Sequence, residues 1–80
     1  MTVYMTVINW AGSLDNEIEG FYWDKDAAIR SAKEIIADDE RGRDDEDDYE
    51  VYWVDIATQV ADDNGSFRTI KTEKIEHEQH

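Results

Sequence analysis

The chain contains no cysteine and no proline. Without cysteine there is no disulfide framework, no thiolate metal site and no cysteine nucleophile. Without proline, no helix or strand is interrupted by a missing N–H. Basic residues are scarce: eight Lys and Arg stand against 21 Asp and Glu, a net charge of −13 in 80 residues. That balance repels nucleic acid and anionic membranes and attracts basic protein surfaces. No apolar run approaches the roughly 20 residues that cross a bilayer. The opening MTVYMTVINW lacks the basic n-region and long apolar core of a signal peptide. The expected address is the cytoplasm.

What is present is patterned. Nine aromatic residues and several β-branched runs argue for a folded domain rather than a disordered acidic chain. Thr2 to Trp10 is rich in β-branched and aromatic residues and reads as a strand. Ala11 to Asn16 has turn chemistry, and Glu17 to Trp23 reads as the returning strand, with Gly20 marking a bulge or a close approach. The period then changes. Asp24 suits an N-cap and Asp26 the first helical turn. Ala28, Ile29, Ala32, Ile35 and Ile36 fall on one helical face. Acidic residues at the C-terminal end oppose the helix dipole, so fraying is expected from Asp38 to Gly42.

Tyr49 to Val60 is the strongest strand pattern. Alternation places Tyr52, Val54, Ile56 and Val60 on one side and Val51, Trp53, Asp55 and Ala57 on the other. Asn64-Gly65 is a strong hairpin signal, and Phe67 to Ile75 reads as the return. The order is ββαββ. The expected fold is α+β: an antiparallel four-stranded sheet with one helix packed on one face. Residues 1–75 form the single domain and residues 76–80 a flexible tail. One helix leaves the other sheet face uncovered, which suits a partner or a homodimer, unless loops cover it.

Little in the sequence points to catalysis. His77 and His80 fall in the expected tail, where neither can be held as a base. Ser13, Ser31 and Ser66 have no neighbouring histidine and no nucleophile-elbow pattern. There is no glycine-rich phosphate loop. Asp44, Glu46 and Asp48 alternate like the start of an EF-hand loop. The sixth and twelfth positions are Tyr49 and Asp55, where that loop needs Gly and Glu. Weak Ca²⁺ or Mg²⁺ binding is the most that pattern supports, and no cofactor is expected. Asn64-Gly65-Ser66 matches a glycosylation sequon that matters only on a secreted chain.

The charge is focused. In DDERGRDDEDDYE the carboxylates are Asp38, Asp39, Glu40, Asp44, Asp45, Glu46, Asp47, Asp48 and Glu50. Arg41 and Arg43 offset two of these nine, leaving −7 of the −13 in one segment. Asp15, Glu17 and Glu19 form a second group, and Asp62 and Asp63 a third. Carboxylates spaced along a helix or a strand can present a field like that of duplex DNA, which carries one charge per ~1.7 Å of axis.

With this block, its net charge and its small α+β layout, the chain resembles the small acidic phage-encoded inhibitors that include many anti-CRISPR proteins. It is similar in kind to anti-restriction proteins and uracil-glycosylase inhibitors that mimic DNA. The resemblance implies a phage protein acting in the host-cell cytoplasm. It would be a non-enzymatic inhibitor by protein–protein interaction, binding a basic nucleic-acid-binding surface of a CRISPR effector or other defence nuclease. It implies no direct nucleic-acid binding and no membrane. The acidic block is then the recognition element, with Tyr49, Tyr52 or Trp53 as anchors; Tyr52 fits the sheet core better than Trp53 does. The alternatives are an acidic structural or housekeeping domain of a halophile or mobile element, and an immunity- or antitoxin-type binder of one basic protein. Salt separates the first two: a mimic loses affinity as salt rises, whereas a halophilic domain gains stability.

Overall fold

The computed structural model describes residues 1–12, 16–42 and 50–77. The elements are β1 (Thr2–Trp10), β2 (Asn16–Tyr22), α1 (Lys25–Arg41), β3 (Val51–Ala61) and β4 (Phe67–Glu76). All pairings are antiparallel and the sheet order is β2-β1-β3-β4. The fold is the expected ββαββ α+β arrangement. No helix among the described residues is long and apolar enough to cross a membrane.

The helix starts where its capping chemistry allows. Asp24 has an extended backbone, and its carboxylate accepts from the Asp26 N–H at 3.1 Å. Seventeen residues follow, with Ala28, Ala32 and Ile36 buried. They pack on Ile8, Val51, Val54 and Ile56, while Tyr4, Trp10, Tyr22, Ile29, Ile35 and Ile75 pack around this cluster half-buried. Two alanines at the centre of the contact let the helix lie close to the sheet. A Lys25–Glu73 ion pair of 2.9 Å fixes the helix start to β4. Hydrogen bonds from Lys25 and then Lys71 hold the Glu73 carboxyl below its ordinary range. That contribution is present above the unfolded-state value and fades as pH falls through the lowered folded one.

Each of the three strand pairings has a register shift, the β3–β4 one between Thr58 and Gln59 with Ile70 as the extra residue, and the other two reset the side-chain alternation near the helix. The β1–β2 register shifts between Thr6 and Val7, opposite Gly20 and Ile18, which leaves Glu19 as the extra residue. Gly20 fits this place because an added Cβ would lie 3.3 Å from the Tyr22 ring. The β1–β3 register shifts between Asn9 and Trp10, where Val51 follows Trp53 as partner and Tyr52 is extra. This corrects the strand parity expected from strict alternation: Val51 joins Val54 and Ile56 in the core, and Tyr52 is 55% exposed.

The helix also runs through the segment expected to fray, reaching Arg41, with an Asp38–Arg41 ion pair of 2.7 Å in its last turn. At the far hairpin Gly65 has a φ of 82°, the left-handed turn conformation read from Asn64-Gly65. The Asp62 carboxylate accepts from Asn64 N–H (2.9 Å) and Ser66 N–H (3.0 Å).

Burial ranks the two adjacent isoleucines. Ile36→Ala should cost about 2–4 kcal/mol by urea denaturation, and Ile35→Ala, half-buried at the rim of the cluster, about half as much. Equal costs would mean that the helix is rotated from the face described here.

Candidate functional site: an acidic rim and an open sheet face

Asp44, Asp45, Glu46, Asp47 and Asp48, the centre of the acidic block, lie outside the described residues, as do Tyr49 and His80. The described edges of the block are Asp38, Asp39 and Glu40 on the last helical turns and Glu50 before β3. They meet at one end of the sheet, beside the β1–β2 turn.

Asp39 belongs to the fold. Its carboxylate accepts from the Glu50 N–H at 3.2 Å and the Val51 N–H at 3.1 Å, and its side chain is only 7% exposed. His77 closes the same cluster. Its Nδ1 lies 2.8 Å from a Glu40 carboxylate oxygen, and its Nε2 lies 2.9 Å from the Val51 carbonyl and 3.2 Å from Asp39. Both ring nitrogens thus lie within hydrogen-bond distance of oxygen atoms. Opposite, the Ala11 N–H donates to the Glu50 carbonyl at 2.6 Å. Helix end, β3 start, β4 end and β1–β2 turn are thus tied together at the base of the acidic segment.

The placement of His77 is a correction. Composition made Glu76 and His77 the start of a flexible tail; instead Glu76 lies within β4 and the His77 side chain is 13% exposed. The acceptors that hold His77 are distant in sequence, so no local pattern announces them. Ser31 also has a partner: it accepts from the Tyr22 hydroxyl at 2.9 Å and donates to Glu19 at 3.3 Å. Thr6 donates to the same Glu19 carboxylate. This network joins the β2 bulge to the helix. Among the described residues no group of three or more His, Cys, Asp or Glu is placed to hold a metal ion.

The second feature is the sheet face away from the helix. Because Ile8 and Thr6 point to the helix side, Val3, Met5, Val7 and Asn9 point away. Cross-strand pairing adds Ile18 and Phe21 from β2, and Trp53, Asp55, Ala57 and Gln59 from β3. Near the start of β1, a shallow groove of about 510 Å³ is lined by Val3, Met5, Phe21, Trp23, Gln59 and Phe67. Exposure there is high: Phe21 61%, Trp23 73% and Phe67 49%.

Trp53, expected as a partner anchor, lies at the other end of this face. Its ring stacks on Tyr52 with centroids 5.8 Å apart, and the Lys74 ammonium sits 4.0 Å from the ring centre. Its buried Nε1 has no hydrogen-bond partner among the described residues. Asp55 accepts from Asn9 Nδ2 at 3.0 Å. Among the described strand residues assigned to this face, the charged ones are Asp55, Lys74 and Glu76, all at the Trp53 end.

The His77 contacts predict a stability effect. His77→Ala should cost about 1–3 kcal/mol in urea denaturation, because it removes donors from half-buried acceptors. A cost below about 0.5 kcal/mol, the usual range for surface positions, would return the residue to a dispensable tail.

Comparison of the chain with known protein families, curated proteins and solved structures finds no match in any of the three.

Proposed function

We propose that the protein is a non-enzymatic inhibitor that sets its acidic end on a basic nucleic-acid-binding surface of a bacterial defence complex and so competes with DNA. The observation that carries this reading is the focusing of charge: nine carboxylates and two arginines between Asp38 and Glu50 hold −7 of a total −13. Such a field steers encounter with a basic cleft and raises the association rate.

The fold supports the reading by holding the two ends of the acidic segment together. The Asp39 carboxylate accepts from the backbone N–H groups of Glu50 and Val51, which joins the helix end to the start of β3. This also divides the labour among the carboxylates. Asp39 and Glu40 hold His77, whereas Asp38 is exposed beside Arg41 and Glu50 is exposed at the rim. Contacts to partner Arg and Lys then fall mainly to Asp44, Asp45, Glu46, Asp47 and Asp48. Tyr52, exposed close to the rim, is better placed as an aromatic anchor than half-buried Trp53.

The test uses purified CRISPR effectors and restriction nucleases, with DNA binding and cleavage read against added full-length chain at two ionic strengths. The wild type should block a target at low salt and lose potency at high salt. Reversing Asp44, Asp45, Asp47 and Asp48 to Lys should abolish inhibition without unfolding the domain. Neutralising one of them should cost about 0–1 kcal/mol, as for an exposed ion pair. Asp63→Lys, at the opposite hairpin, is the control; Asp62 is unsuitable because it holds that turn. Inhibition by the four-site reversal equal to wild type would make the block solvation. Stability rising in molar salt, with no target engaged, would favour the acidic housekeeping domain.

A further inference from the structure

We propose that the open sheet face is a self-association surface, on which two copies of this chain pair face to face as a four-layer helix–sheet–sheet–helix dimer. The inference does not rest on the acidic docking reading. It starts from the distribution of apolar surface. Phe21, Trp23 and Phe67, at roughly 150–250 Å² of surface each, expose on the order of 400 Å² between them. Ile18, 55% exposed on the same face, adds to this. That equals the largest apolar patch of a typical monomer, and patches of this kind often mark an interaction surface.

Area and charge identify the occupant. Four strands about 4.8 Å apart and nine residues long at about 3.3 Å each give a face of roughly 600 Å² in projection. A standard specific interface takes about 800 Å² from each partner. Two such faces together reach the low end of specific interfaces, where pairing is weak or transient. A basic partner, which the rest of this −13 chain attracts, finds almost nothing to pair with here: the groove end carries no charged strand residue among those described. A sheet end that is apolar and free of charged strand residues among those described needs a counterpart of the same kind, and a second copy supplies one. Sheets packed in this way lie about 10 Å apart with strands crossing at about 30°.

The geometry also removes the objection that like-charged chains repel. Asp38, Asp39 and Glu40 sit on the helix, on the side away from the open face. Pairing through the sheets puts the two helices on the outside, roughly 30 Å apart, about three Debye lengths at 0.1 M salt. Asp38, Asp39 and Glu40 stay outside the paired faces in the dimer.

Sedimentation equilibrium of the full chain tests this. The wild type should move from one chain mass of 9.3 kDa toward twice that mass as its concentration passes through the micromolar range. The double variant Phe21→Glu, Phe67→Glu should stay at one chain mass with an unchanged circular dichroism spectrum, and the exposed helix variant Arg30→Glu should dimerise like wild type. Should the double variant misfold, acrylamide quenching of the wild-type tryptophans decides. It should fall with rising concentration as Trp23 is covered. A wild type that remains monomeric, a double variant that still dimerises, a mass growing past two chains, or quenching independent of concentration would each overturn the proposal.

Discussion

A single helix can cover only one face of a four-stranded sheet, and most of this molecule follows from that constraint. Seventeen helical residues span about 25 Å, enough to lie across β1 and β3 and to touch the outer strands. Ala28 and Ala32 bring the helix close, and Val51, Val54, Ile56 and Ile8 form the floor beneath it. A core this small leaves little margin, so contacts at its perimeter carry a larger share of stability than in a bigger domain. The Lys25–Glu73 pair at one end and the Asp39–His77 cluster at the other are both of this kind.

The same constraint separates two surfaces. Carboxylates crowd the helix end and the segment beyond it, where a network of backbone and histidine contacts holds the base together. The uncovered sheet face is nearly neutral and rich in exposed aromatics. Charge repels at a distance and apolar area attracts on contact, so the described carboxylates Asp38, Asp39 and Glu40, carried on the helix side, leave the open face apart from them. The outer strands differ in charge as well: β2 carries Glu17 and Glu19 and no basic residue, whereas β4 carries Arg68, Lys71 and Lys74 against Glu73 and Glu76.

Much of the fold was legible because its signals are local. Asp24 caps the helix as its type suggests, Asn64-Gly65 makes the hairpin, and Ala28, Ala32 and Ile36 fall on the packed face. The errors come from long-range effects. A bulge opposite Trp10 moves Val51 into the core and Tyr52 out, and nothing in YEVYWV marks where the alternation slips. His77 looks like tail because its acceptors lie at Asp39, Glu40 and Val51. The uncovered face was expected from the count of one helix against one sheet, but the groove between Phe21, Trp23 and Phe67 depends on register, which composition does not carry. The acidic block is plain in the sequence, and its centre lies outside the described residues.

The separation of a neutral pairing face from a charged rim is tested most directly by the salt dependence of self-association, measured by sedimentation at fixed protein concentration. Pairing through the open face is apolar, and the residual repulsion between −13 chains is screened as salt rises. The dimer fraction should therefore hold steady or increase. A dimer fraction that falls steeply with salt would show that the copies meet through charge pairs, such as the acids of β2 against Arg68, Lys71 and Lys74 of β4, and would contradict the account.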